Sequence, residues 1–428
     1  MKKIVIGVFF ISATLVTIKA QSQFGYFRNI YDAEKDKINL EFIDEIAKKK
    51  RIIFLCENSH LDGTTLNLQY EISKYLIEKH GFTKIFVEYS FSQIEKTMDQ
   101  LDSQKDLFEL FYDELSSTVL NTREFRSFLK DIKPYIFGEQ TLRFVGIDIT
   151  SNTKVEQMLS YLKSEIYESK IHIDSIEKIE KTIGEGSFSF LYCHQCPIYE
   201  KDYKKLMQYT QVGINFFDSV YKKKGNVALL KKKRGWEILK EGAEGAFNKQ
   251  FPPIDRTKDR MFYGSLYFRR RDSIMAKNIL WNADSLYRNE KIIIWVSAYH
   301  AMRDLAEAES IYDCCIYPGI RTAGDLVYRS TLKDSMYTIA FIRGVGESGL
   351  ANDLVKLPSL KIKKGSLEQY LHRKGIKFGF VDFHEWKEDR PFYMNPTFAK
   401  YQKEKWYKMY DGVIYINKME PLRITGWR

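Results

Sequence analysis

Short apolar runs alternate with longer amphipathic stretches along most of this chain, which predicts a sheet covered by helices. Arg51–Cys56, Lys84–Glu88, Arg143–Asp148 and Lys291–Ser297 are each dominated by aliphatic or aromatic residues and predict buried strands. Apolar positions within Thr64–Lys79 recur at helical spacing. The predicted fold class is therefore α/β, with a mostly parallel sheet flanked by helices.

Between the third and fourth strands the pattern becomes helical and strongly charged, interrupted by the short β-like run Phe188–Cys193. This stretch predicts a helical insertion subdomain over residues 151–257, ended by Phe251-Pro252-Pro253. The α/β core is then built from residues 21–150 and 258–428. Within it, helices are expected across 91–133 and 257–288. Further strands are expected at Tyr337–Arg343, Lys377–Asp382 and Gly412–Ile416.

The N-terminus has the pattern of an export signal. Met1-Lys2-Lys3 precedes an apolar run from Ile4 to Ile18, and a cationic start followed by a short apolar stretch is typical of a signal peptide. Residues 1–20 are predicted to be removed after Ala20, giving an exported protein, periplasmic or secreted. The alternative is an uncleaved N-terminal anchor. No later run is apolar and long enough to predict an integral membrane span after cleavage.

The net charge of +11 comes from lysines scattered among acids, as in Lys201–Lys205. Such mixing is typical of a solvated surface, so no nucleic-acid partner is predicted. The run Lys231–Arg234 is the one candidate contact for an anionic surface.

Cysteine spacing favours a structural role over a metal site. Cys193 and Cys196 form a C-x-x-C, but no second ligand pair lies at zinc-binding spacing. In an oxidising compartment a local disulfide between them is one possibility, and catalysis is the alternative.

Acids and histidines stand at the carboxyl ends of the predicted strands, where ligands bind in open α/β sheets. The first strand leads into Glu57 and His60, the second ends in Glu88, the third in Asp148, and the fourth is followed by His300. Singly, each has a structural explanation as a helix cap or a satisfied core histidine. Together they predict a site, because burying several carboxylates is costly unless they are paired or bind a ligand.

This set supports two kinds of hydrolytic chemistry. His60 can act as a general base towards water, with Glu57 or Glu88 orienting the imidazole and His300 or a nearby arginine stabilising an oxyanion. Alternatively, the same side chains hold a divalent metal that activates the water. The residues alone leave both open.

Two common motifs are weak or absent. Gly344-x-Gly346-x-x-Gly349 matches the dinucleotide-binding pattern but opens no convincing helix. No G-x-S-x-G elbow is present, which argues against a serine-nucleophile α/β hydrolase.

Several blocks, in order along the chain, resemble the erythromycin esterase family. They are Glu57-Asn58-Ser59-His60 with Gly63-Thr64, Gly81-Phe82 with the strand to Glu88, the helix from Arg271-Asp272 through Asn278 to Trp281, Ile294–His300, Gly365–Glu368 with the strand to Asp382, and Asp411–Tyr415.

This resemblance implies a helix-flanked sheet with a helical insertion, and hydrolysis of an ester by water activated at His60. It assigns catalytic roles to Glu57, Glu88 and His300. Asp148, Arg271 and Asn278 are expected to bind substrate or to support the site.

The chain also departs from the family pattern. Ser297 stands where the family has a histidine, Cys56 where it has glycine, and Leu61-Asp62 are inserted after His60. The family's basic residue in the first helix has no clear counterpart, with Lys74 the nearest candidate. The resemblance therefore implies an ester-hydrolysing site without implying macrolide substrates.

The resulting hypothesis is an exported hydrolase acting on a small-molecule ester or lactone, independent of metal and cofactor. Two alternatives use the same crevice. One is a metal-dependent hydrolase with Glu57, His60, Glu88 and His300 as ligands. The other is a non-enzymatic protein that binds haem or another small ligand, since the superfamily that this resemblance implies looks to include haem-binding lipoproteins.

Overall fold

The structure is a computed structural model. It describes residues 27–115, 121–139, 141–149, 200–247, 260–305, 308, 321–349, 356–357, 361–397 and 400–423.

The strands are numbered here in chain order. They are β1 (Arg28–Asn29), β2 (Tyr31–Asp32), β3 (Lys37–Ile38), β4 (Ile52–Glu57), β5 (Phe82–Ser90), β6 (Arg143–Asp148), β7 (Lys291–Ser297), β8 (Met336–Gly346), β9 (Ser348–Gly349), β10 (Lys356–Leu357), β11 (Phe378–Asp382), β12 (Phe392–Met394), β13 (Gln402–Glu404) and β14 (Gly412–Met419).

One eight-stranded sheet dominates the described chain, with the strand order β1-β11-β14-β8-β4-β7-β5-β6. From β14 to β6 all neighbours are parallel, whereas β11 and β1 add antiparallel pairs at one edge. The small strands pair as β2 with β3, β9 with β10, and β12 with β13. The carboxyl ends of β4, β5, β6 and β7 therefore lie along one edge.

The sheet is buried on both faces, which explains the continuous apolar runs in its strands. Every residue of β4 is buried. Alternate side chains enter two different cores, Ile53 and Leu55 on one face, Ile52 and Phe54 on the other.

Helices cover these two faces. They are α1 (Asp44–Lys49), α2 (Gly63–His80), α3 (Phe91–Asp99), α4 (Leu107–Leu115), α5 (Arg123–Phe137), α6 (Glu200–Lys224), α7 (Val227–Phe247), α8 (Arg260–Trp281), α9 (Ala298–Ala301), α10 (Ala323–Tyr328), α11 (Leu367–Arg373) and α12 (Trp406–Met409). Short 3-10 turns occupy Leu40–Ile43, Lys333–Ser335 and Phe383–Glu385, and a π-helical turn, Asn282–Leu286, extends α8.

Local signals set the boundaries of the helix that follows β4. Oδ1 of Asp62 accepts hydrogen bonds from the backbone N–H groups of Thr64 and Thr65, which caps the N-terminus of α2. Gly81 ends α2 in the left-handed conformation, with φ of +66°.

The predicted α/β class with a mostly parallel, helix-flanked sheet is confirmed. β6 and β7 have the predicted bounds, whereas β5 is longer than predicted at both ends. The predicted long helix, α8, ends at Trp281, before the π-helical turn. None of the helices in the described stretches is long and apolar enough to cross a bilayer.

The predicted insertion is only partly described. Its described part is a pair of helices, α6 and α7, packed so closely that a Cβ on Gly213 would lie 2.6 Å from the ring of Trp236. The division into core and insertion stays a prediction, as does the signal peptide. Residues 1–26 and 150–199, and Cys193, Cys196, Cys314 and Cys315, lie outside the described residues.

The basic run Lys231–Arg234 differs from the expected anion-binding surface. Lys231 and Arg234 are buried, at 7% and 6% exposure. Lys231 Nζ donates to Oε2 of Glu95 on α3 at 2.8 Å, and Arg234 Nε donates to Oδ1 of Asn278 on α8 at 3.0 Å. The run therefore stabilises the packing of α7 on the core instead of facing a partner.

The G-x-G-x-x-G match is a packing motif here. Gly346 has φ of +107°, and a Cβ at this position would lie 2.3 Å from the carbonyl oxygen of Met419 on β14. The backbone N–H of Gly349 donates to the carbonyl of Leu61 at 2.9 Å. These glycines let β8 and its following turn approach β14 and the loop after β4.

We expect Gly346→Ala to lower the free energy of unfolding by about 3 kcal/mol or more, because it combines an unfavourable φ with a backbone clash. Gly375→Ala is the matched control. Gly375 also has positive φ, +68°, but a Cβ there meets nothing within 4 Å, so about 1 kcal/mol is expected. Urea unfolding measures both, and equal losses would contradict the close approach of β8 and β14.

Candidate active site

The residues predicted from the strand ends gather at the edge where β4, β7, β5 and β6 lie side by side. Glu57 ends β4, Glu88 lies near the end of β5, and Asp148 ends β6. His300 lies in α9, directly after β7. Glu57, Asp148 and His300 are at most 6% exposed, and the side chain of Glu88 is 7% exposed.

Arg271 of α8 is the cation at the centre of this edge. Its Nε and Nη2 donate to Oδ2 of Asp148 at 2.8 and 2.5 Å, and Nη2 also donates to Oε1 of Glu88 at 2.7 Å. Nη1 lies 2.9 Å from Nε2 of His300. One guanidinium thus joins β5, β6 and α9.

Glu88 is held as a carboxylate by these contacts. Burial favours its neutral form, but the charges of His300, Arg271 and His60 oppose that effect, and the Ser297 N–H donates to Oε2 at 2.7 Å. Together they lower the pKa of Glu88 to about 2. Its negative charge is therefore fixed at neutral pH.

His300 is fixed through both ring nitrogens. Nδ1 lies 2.9 Å from Oδ1 of Asp272, which also accepts from the Ala323 N–H at 2.7 Å. Nε2 faces Arg271 at 2.9 Å and Oε1 of Glu88 at 3.4 Å. Burial lowers the pKa of His300, but Asp272 and Glu88 outweigh that effect and raise it. A neutral ring accepts from Arg271, whereas a protonated ring donates to Glu88.

His60 differs from His300 because about half of its side chain, 52%, is exposed. Nδ1 lies 2.6 Å from Oε1 of Glu57. The charge of Glu57, opposed by burial and assisted by Glu88, raises the pKa of His60 to about 9. With Nδ1 occupied by Glu57, Nε2 is the nitrogen through which this ring can exchange a proton with a bound molecule.

Asn278 supports the site from below. Its Nδ2 donates to the carbonyl of Ile147 at 2.8 Å, and its Oδ1 accepts from Arg234 Nε at 3.0 Å. These bonds connect α8 to β6 and to α7. Asn278 therefore contributes to the packing of α8, and the β6 residue that it contacts, Ile147, directly precedes Asp148.

Part of the chain matches a known protein family. Residues 260–422 match the sequence model of the family described as Erythromycin esterase. YbfO of Bacillus subtilis strain 168, which is named as a candidate hydrolase, is 24% identical over 404 residues, covering 90% of this chain and 87% of the relative.

The predicted resemblance to the erythromycin esterase family is thereby confirmed.

Solved structures show the same fold. A Bacillus cereus protein from structural genomics aligns with a TM-score of 0.70 at 15% identity over 95% of this chain and 98% of its own. A succinoglycan biosynthesis protein aligns with a TM-score of 0.66 at 15% identity, over 95% and 98%. A mutant of the erythromycin esterase EreC in its open conformation aligns with a TM-score of 0.66 at 17% identity, over 92% and 97%.

The erythromycin esterase match places Arg271, Asp272 and His300 inside the family region, whereas His60 and Glu88 precede it. Sequence reasoning overlooked the role of Asp272. Its position beside Arg271 was the available signal, but adjacent helical residues point about 100° apart, so the pattern did not indicate that both reach the strand ends.

The residues present do not fit the alternative metal site. Within the ranges that the structure describes, His, Cys, Asp and Glu side chains form no group of three or more arranged to hold a metal ion. The position between Glu88, Asp148 and His300 is filled by the guanidinium of Arg271. A fixed cation there already pairs with Glu88, one of the carboxylates predicted as metal ligands.

We expect Arg271→Met to lower the free energy of unfolding by about 3–5 kcal/mol at pH 7, because it leaves Glu88 and Asp148 buried without their shared cation. Arg390→Met is the control, since Arg390 pairs with Glu388 at the surface and such pairs contribute at most about 1 kcal/mol. Urea unfolding distinguishes the two. Equal small losses would contradict a central role for Arg271.

The acid dependence of this difference has a defined sign. The pKa of Glu88 is about 2 in the folded protein against an ordinary value of 4.5. Glu88 therefore stabilises the fold above about pH 4.5, and this contribution is lost as the pH falls towards 2. Arg271→Met removes part of this contribution. The difference in the free energy of unfolding between the variant and the wild type should therefore become smaller as the pH falls from about 4.5 to about 2.

Proposed function

We propose that this chain is an exported hydrolase that cleaves a small-molecule ester or lactone with water activated by His60. The observation that carries the proposal is the 2.6 Å contact between Nδ1 of His60 and Oε1 of Glu57 at the end of β4. The similarity to the erythromycin esterase family and to YbfO supports hydrolysis as the reaction class.

In the proposed reaction, neutral His60 accepts a proton from water at Nε2 while its Nδ1–H donates to Glu57. The water oxygen then attacks the carbonyl carbon of the ester. Collapse of the tetrahedral intermediate breaks the bond to the alcohol, and the imidazolium of His60 returns the proton to that oxygen. Glu57 stabilises the positive charge on the ring in between.

The buried cluster supplies oriented hydrogen-bond donors. Arg271 and His300 lie together beside Glu88, and N–H groups held in fixed orientation in a water-poor site can donate to a developing oxyanion. Because Arg271 and His300 offer these donors without a metal, the arrangement favours a metal-independent hydrolysis. The metal-dependent alternative has no comparable support in the contacts of Glu57, His60, Glu88 and His300.

We expect His60→Asn to reduce hydrolysis of a chromogenic ester such as p-nitrophenyl butyrate at least about a hundredfold, with Tm within a few degrees of wild type. His384→Asn is the matched control. His384 is similarly exposed, at 57%, and carboxylate-paired, with Nδ1 3.1 Å from Asp382, but it lies at the opposite end of the parallel strands. Full activity in His60→Asn would overturn the assignment.

The pH profile tests the role of Glu57. A general base acts when neutral, so kcat/KM should rise with pH up to about 9, where His60 loses its proton. Glu57→Gln removes the charge that raises this pKa, so the rise should move towards 6.5 and the plateau should be lower. An unshifted profile would exclude Glu57 as the partner of the base.

Export is supported by the pattern of residues 1–20. Expression of the full chain in cells that secrete proteins should yield a product outside the cytoplasm. Mass spectrometry of this product should give the mass of a chain that starts at Gln21. Replacing Val5 and Ile6 by Arg should retain the full-length chain in the cytoplasm. A full-length cytoplasmic product from the unaltered chain would contradict export without affecting the catalytic proposal.

A further inference from the structure

The loop that carries His60 is fixed to two distant parts of the chain. On its amino-terminal side, Nδ2 of Asn58 donates to the backbone carbonyl of Asn395 at 2.9 Å. On its carboxyl-terminal side, the Leu61 carbonyl accepts from the Gly349 N–H at 2.9 Å, and Asp62 forms a bridge with Pro421. His60 thus lies between two anchored points.

A buried carboxylate stands behind the first anchor. Oε1 of Glu368, on α11, accepts from the backbone N–H of Asn395 at 2.7 Å. Glu368, Asn395 and Asn58 are 0%, 2% and 5% exposed. The chain of contacts therefore runs from Glu368 through both backbone groups of Asn395 to Asn58, which follows Glu57 directly.

We propose that Glu368 is a positioning residue for His60, acting through the Asn395 backbone and the Asn58 side chain. This role rests on the proposed use of His60 as the base. Glu368 touches neither His60 nor the reacting groups. It fixes the turn between Glu57 and His60, and so the alignment of the imidazole with its carboxylate.

The burial of Glu368 supports this role. Burial raises the pKa of its carboxyl group to about 7, with the Asn395 N–H opposing the shift. The groups facing it from neighbouring elements include Ser366, Tyr401 and Tyr415, none of them a cation. A buried carboxyl group without an opposite charge is costly, whereas leucine would fill a buried helix position at lower cost. The carboxyl group accepts from the Asn395 N–H in addition to its local contacts with Ser366 and its own backbone N–H.

The geometry of the loop explains why this anchor bears on the Glu57–His60 contact. Only Ser59 separates Asn58 from His60, and Glu57 precedes Asn58 in the same turn. A shift of Asn58 would therefore change the Glu57–His60 contact directly. The second anchor holds Leu61 and Asp62, whose neighbour is the start of α2.

The test compares Glu368→Leu, which removes the acceptor, with Glu368→Gln, which retains it. The pKa of His60 is measured by NMR of 13C-labelled histidine, with its signal assigned from His60→Asn. We expect Glu368→Leu to lower the pKa of His60 by about one unit as the contact with Glu57 loosens. In parallel, kcat should fall about tenfold with little change in KM. Glu368→Gln should change neither.

Asn58→Leu tests the other end of the same chain and should lower the pKa of His60 and kcat similarly. In a double variant with Glu368→Leu the effects should not add, because both remove one connection. Asn58→Leu also keeps the proposal testable if Glu368→Leu does not fold.

Glu95→Leu is the control for general destabilisation. Glu95 is also 0% exposed, but its partners are Arg143 and Lys231. It should lower Tm while leaving the pKa of His60 unchanged. An unchanged pKa and kcat in both Glu368→Leu and Asn58→Leu would overturn the positioning role. A shift equal to theirs in Glu95→Leu would also overturn it.

These outcomes are separable from failure of the proposed function. The NMR titration requires no substrate, so the pKa of His60 reports positioning even in a protein without esterase activity. If Glu368→Leu leaves the pKa of His60 unchanged and His60→Asn is inactive, only the role of Glu368 is rejected. A pKa shift together with a fully active His60→Asn variant would reject only the role of His60.

Discussion

The arrangement of the candidate site depends on one guanidinium buried among carboxylates. Arg271 bonds to Asp148 and Glu88 and lies against His300. Two ionised carboxylates at neighbouring strand ends would otherwise repel each other in surroundings that cannot solvate them. The ends of β5 and β6 can therefore carry acids because α8 returns from a distant part of the chain and pairs Arg271 with both. The same interaction therefore stabilises the fold and arranges the candidate site.

The two histidines of the site have different physical situations. His300 is buried and held from both sides by Asp272 and Arg271, so its orientation is fixed. His60 is half exposed and held at one nitrogen by Glu57. The buried histidine is suited to a fixed electrostatic role, and the exposed one to proton exchange. Strong pairing with Glu57 makes His60 a stronger base but keeps it protonated at neutral pH, so the proposed catalysis balances basicity against the neutral fraction.

How much of this could be predicted from the sequence follows from the range of each signal. Glu57, Glu88 and Asp148 are placed by local information, because an apolar run that ends in an acid fixes both strand and residue. The position of Arg271 is different. Helical periodicity gives a buried face but not which strand ends that face meets, so only the family resemblance indicated Arg271. Asp272 was missed for the same reason.

The buried basic run illustrates the same limit at the level of charge. Four consecutive cations predicted a contact for an anionic surface, yet Lys231 and Arg234 are buried, because Glu95 of α3 and Asn278 of α8 meet them from other helices. Net charge and clustering describe one segment, whereas burial of a charge is decided by its partners. Sequence patterns therefore place side chains that end strands better than side chains that join elements.

The loop after β4 shows how a departure from the family pattern becomes part of the support. Leu61 and Asp62, inserted after His60, are not a loose bulge: Leu61 accepts from Gly349, and Asp62 caps α2. A side chain on a loop is positioned only as precisely as the surrounding elements hold that loop. Here the nucleotide-binding-like motif contributes to that support, because Gly344 and Gly346 let β8 approach β14 and the N–H of Gly349 donates to the Leu61 carbonyl. The motif and the insertion are thus two halves of one contact, which neither pattern reveals alone.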